Sequence, residues 1–203
     1  KQDIFHNDND YKVFTQILAY YLLHPSGTAQ SILARLHDQN KVTNLVIHDP
    51  CCTLLAYCLM PNHFHFMLRQ ENTQLTISDF MRRLSVTYAM YYNHRHHHSG
   101  VIFQGRYKNV TLTNEYQWLY LSKYIHRNPI HLKQSYEPCL LANYSYSSYP
   151  NYLGHRTERW VNTSEILGSH NSDSIGKYQR FVQEGSDTGN IEKFALDAED
   201  FQY

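Results

Sequence analysis

The sequence lacks several features that define whole classes of protein. No apolar run approaches the roughly 18 residues of a membrane-spanning helix, and neither a secretory signal nor an internal repeat is visible. The four cysteines include no C-x-x-C pair, and the adjacent Cys51 and Cys52 are not typical of a disulfide scaffold. These absences argue against membrane-spanning and disulfide-rich secreted proteins, and they predict no membrane partner and a reducing, cytoplasmic location.

The chain also lacks net charge, because 18 Lys and Arg balance 18 Asp and Glu. A zero balance argues against a large nonspecific footprint on nucleic acid. The charges are nevertheless segregated, with a basic excess over 69–133 and an acidic excess from 150 onward. The length of 203 residues, 42% of them apolar, is enough for one compact domain with an appended tail. We expect the basic middle to face any nucleic acid and the acidic tail to lie away from it.

Periodicity gives a coarse map of the secondary structure. Helical spacing of apolar residues predicts helices over 11–23, 31–39, 76–94, 114–127, 163–167 and 172–184. Strand-like composition predicts a hairpin over 53–60 and 63–69 with a turn at Pro61-Asn62, and a further strand over 101–112 with Gly105 in its middle. Residues 40–50 form a polar, irregular connection in this scheme. The order of these elements predicts an α+β fold with an antiparallel sheet.

Two histidines in the second hairpin strand are candidate metal ligands. On a strand His63 and His65 point to the same face about 7 Å apart, and two such imidazoles can hold one divalent ion. Phe64 and Phe66 then face the opposite way, into a core. The alternative is that the two histidines simply occupy the solvated face of an amphipathic strand.

A tyrosine and an asparagine near the end of the helix over 114–127 add a candidate nucleophile and a third ligand. Tyr124 and Asn128 are four residues apart and therefore share a helix face. The Tyr124 phenol can attack phosphorus, and the Asn128 side chain offers a carbonyl oxygen. The chain has 18 tyrosines, but Tyr120 and Tyr116 on the same stripe carry no such ligand four residues later. Two imidazoles and an amide oxygen suit Mg²⁺ or Mn²⁺, and Mn²⁺ matches histidine better.

Several sequence blocks, in order, carry a resemblance to a known family. They are "AYCLMPNHFHFML", "FMRRL…YAMYYNHRH", "GVIFQGRYK", "LSKYIHRNPI" and "YSSYPNYLG", and they cover about residues 53–154. Together they resemble the REP-associated tyrosine transposases, a branch of the IS200-like single-tyrosine HUH transposases. The resemblance implies a ferredoxin-like antiparallel sheet with helices on it, the HUH endonuclease fold, over 1–154, followed by a helical C-terminal extension over 155–203. Members usually have a β-strand before the point that corresponds to Lys1, so that strand is either missing or replaced.

The same resemblance implies a function and a set of site residues. The activity is metal-dependent cleavage and rejoining of single-stranded DNA beside a hairpin, a REP-like palindrome, through a 5′-phosphotyrosine on Tyr124. His63, His65 and Asn128 hold the Mg²⁺ or Mn²⁺, and the enzyme is a monomer or a homodimer. The predicted DNA-binding residues are six of the cations of the basic middle: Arg82, Arg83, Arg106, Lys108, Lys123 and Arg127. The alternatives are a domesticated hairpin-binding protein without cleavage activity, and a phosphodiesterase that uses water while Tyr124 is structural.

Three further segments remain to be interpreted, and two of them leave alternatives open. The four histidines in 94–98 indicate either a solvated helix end or a metal site, although consecutive residues point in different directions. The Tyr/Ser-rich segment 144–149 is either a base-stacking surface or a strip packed over the domain. The acidic stretch 185–203 is expected to be partly disordered.

Overall fold

The computed structural model describes residues 2–23, 28–36, 50–71, 74–105, 107–132, 137–168 and 172–185. Within these ranges helices accompany a two-stranded antiparallel sheet, so the predicted α+β class is confirmed. The strands are β1 (Cys52–Met60) and β2 (His63–Gln70). The helices are α1 (Asp8–Leu23), α2 (Ala29–Leu36), α3 (Ile77–Arg95), α4 (Glu115–Arg127), α5 (Tyr149–Tyr152), α6 (Ser164–Leu167) and α7 (Ser172–Gln183), with short 3-10 helices at Asn128–His131 and Pro138–Asn143.

The chain divides into two compact units. The first comprises residues 1–54, 61–63 and 68–107, and the second comprises 55–60, 64–67 and 108–203. Strands β1 and β2 therefore contribute residues to both units. The domain boundary expected after residue 154 stays a prediction.

In the first unit, α1 packs against α3 through aromatic rings. Phe14 meets the ring of Tyr88 edge-on at 4.9 Å between centroids, and Tyr21 forms a 2.7 Å hydrogen bond with Thr87. Helix α3 begins with a capping box, in which Thr76 and Asp79 satisfy each other's backbone N–H groups. The apolar residues whose periodicity predicts these helices thus lie on the faces that the helices bury.

In the second unit, α4 packs on the hairpin through a core of buried side chains. This core consists of Leu55, Ala56, Cys58, Met60, Met67, Ile125 and Tyr144. A second core contains Leu141, Tyr149, Tyr152, Leu153, Leu167, Tyr178 and Val182, and Leu119 of α4 packs against it. Helix α4 therefore contacts both cores of this unit.

The Tyr/Ser-rich segment 144–149 packs along β1, so the packing alternative is the one the structure supports. Ser147 forms an antiparallel bridge with Cys58, and Leu59 N donates to the Tyr146 carbonyl at 2.8 Å. The Tyr144 hydroxyl donates to the Leu59 carbonyl at 2.6 Å. The open edge of β1 is thus occupied by residues that lie far away in the sequence.

The strand predicted over 101–112 is wrong for the residues that the structure describes there, 101–105 and 107–112. Gly100 and Gly105 adopt φ angles of +107° and +76°, which an extended strand does not contain. Val101 is 81% exposed, so the apolar side chains of this segment do not form a buried strand face. Apolar and aromatic composition alone predicts a strand here.

His96 and His98, two of the histidines in 94–98, contact different partners and do not share one binding position. His96 Nε2 lies 3.0 Å from the Asp10 carboxylate, and His98 Nδ1 lies 2.9 Å from the Asn93 amide oxygen. No group of three or more His, Cys, Asp or Glu side chains that could hold a metal occurs among the described residues. This geometry fits the helix-end interpretation.

Some expectations fall outside the described residues. They are the irregular connection up to residue 49, the end of the helix over 31–39, Arg106, and the acidic tail from residue 186. Among the residues that are described, none of the helices is both long and apolar enough to span a membrane.

Candidate active site on strand β2 and helix α4

Strand β2 places the two candidate histidines on one face, as its alternation requires. His63, its first residue, is exposed, and its Nδ1 lies 2.6 Å from the Asn62 amide oxygen. An Nδ1–H that donates to an amide oxygen leaves Nε2 as the nitrogen with the lone pair, which is the form that binds a cation. His65 is half-buried and lies on the face of β2 that carries the buried Met67.

The opposite face of β2 differs from the expectation that Phe64 and Phe66 enter a core. Their rings stack on each other at 4.6 Å, but both side chains are only half-buried. The hairpin core of the second unit lies instead on the side of Met67, where Ile125 of α4 packs. His65 is therefore directed toward α4 rather than into open solvent.

Helix α4 is defined by its caps. The Asn114 side chain accepts from Gln117 N at 2.9 Å, and Asn128 is the C-cap, followed by Pro129. Ser122, Ile125 and His126 form the buried side of the helix. Tyr124 is half-buried and projects from another side, where it packs against the hairpin core.

Tyr124 and His65 meet in the second unit. Their ring centroids are 5.6 Å apart and the rings are edge-on, with an interplanar angle of 86°. Tyr120, one turn earlier, makes a different contact, because its ring lies edge-on to Phe181 of α7 at 5.1 Å. The Tyr116 ring centroid lies 4.2 Å from that of Tyr120. Of these three tyrosines, Tyr124 is the one that lies beside a candidate metal ligand.

The Asn128 side chain is held by its own helix. Its Nδ2 donates to the Tyr124 carbonyl at 3.0 Å, and the residue is only 5% exposed. This bond satisfies one of the carbonyls that lack an amide partner at the end of α4. It also orients the amide so that Oδ1, the atom that can bind a cation, points away from that carbonyl. The donor set of two imidazoles and one amide oxygen fits Mg²⁺ or Mn²⁺.

The predicted DNA-binding cations have different surroundings. Lys123 is 2% exposed, and its Nζ lies 4.4 Å over the Phe181 ring. Arg127 donates to the Val182 carbonyl of α7 at 2.5 Å. Both side chains therefore have roles within the second unit. Arg82 is well exposed on α3, Arg83 is half-exposed, and Lys108 is exposed.

Sequence reasoning did not single out a hydrogen-bonded network on the other side of α4. His126 is fully buried, with Nδ1 2.8 Å from the Tyr178 hydroxyl and Nε2 2.8 Å from Ser148 Oγ. Burial lowers the pKa of His126 to about 3, so the imidazole is neutral. Its only signal in the sequence is the four-residue spacing of Ser122 and His126, which places both on one face.

One comparison with known families gives a match. The family model described as "Transposase IS200 like" matches residues 34–128, a span that includes His63, His65, Tyr124 and Asn128. No curated protein and no solved structure matches the chain. Over this span, a little under half of its length, the chain is similar to IS200-like transposases, and the match supports that family.

Proposed function

We propose that this protein is a single-strand DNA transposase and endonuclease of the REP-associated, single-tyrosine HUH type, with the ferredoxin-like sheet arrangement of that fold. Tyr124 is its nucleophile, and His63, His65 and Asn128 are its metal ligands. The observation that carries the proposal is the edge-on contact of His65 with Tyr124, 5.6 Å between centroids, on the helix whose C-cap is Asn128. Two chemically complementary groups from distant parts of the sequence meet there.

The reaction is a transesterification on phosphorus. The Tyr124 oxygen forms a bond to the scissile phosphorus as its phenol proton is lost, and the bond from phosphorus to the 3′-oxygen breaks. The departing oxygen takes up a proton and becomes a 3′-hydroxyl, while the 5′-phosphate stays on Tyr124 as a diester. Because the ester retains the energy of the cleaved bond, a 3′-hydroxyl can attack it and rejoin strands without a nucleotide cofactor.

An unperturbed phenol has a pKa near 10, so Tyr124 needs assistance at neutral pH. A divalent ion, when bound, polarises the phosphate and balances the negative charge that develops. His63, His65 and Asn128 would hold it, and the Asn128 bond to the Tyr124 carbonyl holds that side chain against the last turn of the helix that carries the nucleophile.

The substrate proposal is a short imperfect DNA hairpin with single-stranded bases beside it, cut outside the stem. A pair of adjacent rings on α4 supports it, because Tyr116 is 58% exposed and its ring lies 4.2 Å from that of Tyr120. Exposed tyrosine rings accept unpaired bases of any sequence. Exposed Arg82 and Lys108, with Arg83 and Arg106, supply the cations for the phosphates. We propose a monomer, with a homodimer as the alternative.

A denaturing gel separates this function from its two alternatives. The protein is incubated with Mn²⁺ and a radiolabelled hairpin oligonucleotide, and then boiled in SDS. A labelled protein band that survives boiling is the expected result, since the phosphotyrosine bond is covalent. Cleaved DNA without that band would indicate a phosphodiesterase that uses water. Bound but intact DNA would indicate a hairpin-binding protein without cleavage activity.

A further inference from the structure

The imidazole of His126 lies in α4 two residues from Tyr124. Two residues on an α-helix differ by about 200° around the axis, so the two side chains leave the helix on nearly opposite sides. Tyr124 meets His65, whereas His126 is fully buried among the rings of Tyr149 and Tyr152, at 5.3 and 4.8 Å. His126 is thus placed to hold the back of the helix whose front carries the nucleophile.

The hydrogen bonds on the Nδ1 side fix the position of one proton. Ser122 Oγ donates to the Leu119 carbonyl at 2.7 Å, so it accepts from the Tyr178 hydroxyl at 2.9 Å. The single hydroxyl hydrogen of Tyr178 is therefore donated to Ser122 Oγ. The 2.8 Å contact between Tyr178 and His126 Nδ1 must then be donated by the imidazole. A neutral His126 therefore carries its proton on Nδ1.

The hydrogen bond at Nε2 is consistent with a proton on Nδ1. A neutral imidazole protonated on Nδ1 has a lone pair on Nε2, and the donor within reach is Ser148 Oγ at 2.8 Å. Ser148 Oγ in turn accepts from Tyr57 N of β1 at 2.9 Å. The Tyr57 carbonyl is a poorer acceptor for Ser148 Oγ, because it lies 3.3 Å away and receives Ser148 N at 3.0 Å. One directional chain thus runs from the β1 backbone through His126 to α7 and back to α4.

We propose that His126 is a positioning residue, which fixes the rotation of α4 and thereby aims the Tyr124 phenol. The inference rests on the proposed function of Tyr124. A side-chain tip lies about 5–6 Å from a helix axis, so a rotation of about 10° displaces it by about 1 Å. A misplacement of about 1 Å can cost about 100-fold in rate. The network resists such a rotation because its bonds reach two other elements, β1 and α7.

The test is the single-turnover rate of covalent adduct formation at saturating DNA and saturating Mn²⁺. His126→Phe keeps an aromatic ring but removes both nitrogens, and it is expected to lower this rate by about 100-fold. The dissociation constant for the hairpin oligonucleotide should change by less than about twofold, since His126 is buried and does not face DNA. His126→Gln, which retains a donor and an acceptor, should recover part of the rate. His131→Phe, at an exposed histidine of the following 3-10 helix, is the matched control and should react like wild type.

A second measurement covers the case in which His126→Phe fails to fold. In the wild-type protein, ¹⁵N spectra of the imidazoles, assigned by comparison with the His126→Gln variant, should show a protonated Nδ1 and an unprotonated Nε2 for this residue. Protonation on Nε2, or a folded His126→Phe variant with the wild-type rate, would overturn the inference. Failure of the wild-type protein to form any adduct would overturn the proposed function instead, so the two failures are distinguishable.

Discussion

The ring of Tyr124 lies edge-on to the ring of His65, with 5.6 Å between their centroids. The two residues are almost sixty positions apart in the sequence, one on α4 and the other on β2. Their meeting joins a candidate nucleophile to a candidate metal ligand. Substitutions at Tyr124 and His65 distinguish a contact that serves catalysis from one that serves only packing.

Replacing Tyr124 with phenylalanine should abolish the covalent adduct and leave the protein folded. The change removes one oxygen and costs about 1 kcal/mol if that hydroxyl is hydrogen-bonded. Phenylalanine has no atom that can attack phosphorus. Adduct formation on a denaturing gel, with circular dichroism to monitor folding, measures both effects. Tyr120→Phe, which keeps the ring contact with Phe181, is the control and should retain most activity. Peptide mapping that placed the DNA on Tyr120 would contradict the mechanism.

Removing the histidines of β2 should abolish Mn²⁺-dependent cleavage while hairpin binding is largely retained. His63→Ala removes an exposed imidazole, and His65→Phe keeps an aromatic ring against Tyr124 but removes the nitrogen ligands. Cleavage rates titrated with Mn²⁺, alongside binding measured in the absence of metal, distinguish ligation from packing. His155→Ala, at an exposed histidine outside the site, should behave like wild type. Undiminished cleavage in the His63→Ala, His65→Phe double variant would rule out this metal site.

Asn128, the third proposed metal ligand, is tested by the same titration of cleavage rates with Mn²⁺. Asn128→Ala should weaken the metal dependence but leave a slow reaction at high Mn²⁺, because Tyr124 is still present. Asn128→Asp restores an oxygen ligand but not the N–H that donates to the Tyr124 carbonyl. Its expected rate therefore lies between those of wild type and Asn128→Ala.

The basic residues of α3 should contribute to phosphate binding. Each phosphate contact that is lost lowers the slope of log affinity against log salt by about 1. We expect Arg82→Ala with Arg83→Ala to lower that slope by about 1 to 2 for a hairpin oligonucleotide. Lys177→Ala is the control, since Lys177 is an exposed cation paired with Asp173 on α7. An unchanged slope in the double variant, or equal wild-type affinity for blunt duplex and hairpin, would count against the proposed DNA surface.

The exposed ring of Tyr116 should bind an unpaired base. Tyr116→Ala is expected to weaken binding of a hairpin with a single-stranded flank by about 1–3 kcal/mol. Tyr116→Phe keeps the stacking face and should bind like wild type. The same hairpin without its flank is the matched substrate, and its affinity should not respond to either change. Equal losses with both substrates would show that Tyr116 supports the fold rather than the flank.

The buried carboxylate of Asp10 should make the first unit sensitive to acid. Burial alone raises the pKa of Asp10, but hydrogen bonds from the His6 backbone and from His96 and Tyr91 outweigh it and hold the pKa below its usual value. The stabilisation is therefore present above the unfolded-state pKa of about 4, and it is lost as the pH falls through the lower folded-state pKa. Asp10→Asn should cost about 2–3 kcal/mol at pH 7, as expected for bonds to a charged group.

Urea unfolding of wild type and Asp10→Asn across the acid range measures this effect. The difference in the free energy of unfolding between the two proteins should shrink below about pH 4. Asp3→Asn, at an exposed carboxylate, should match wild type at every pH. A difference that stayed constant into acid would show that Asp10 contributes packing rather than charge.

The sequence alone determined the local elements and the pairs of residues that share a face. Periods of 3.6 and 2 follow from backbone geometry, so α1, α3, α4 and the hairpin were predictable. The same periods place His63 beside His65 and Tyr124 on the face of Asn128. The capping roles of Thr76 and Asn114 are equally local, because each side chain bonds to a backbone amide within its own first turn.

Only the tertiary structure decided which faces are buried and what contacts them. The core lies on the Met67 side of β2 and not at Phe64 and Phe66, because α4 packs there. The segment 144–149 occupies the edge of β1. Lys123 and His126 are buried because α7 covers their side of α4. Burial depends on which distant element supplies the opposing surface, and no local period in the chain records that partner.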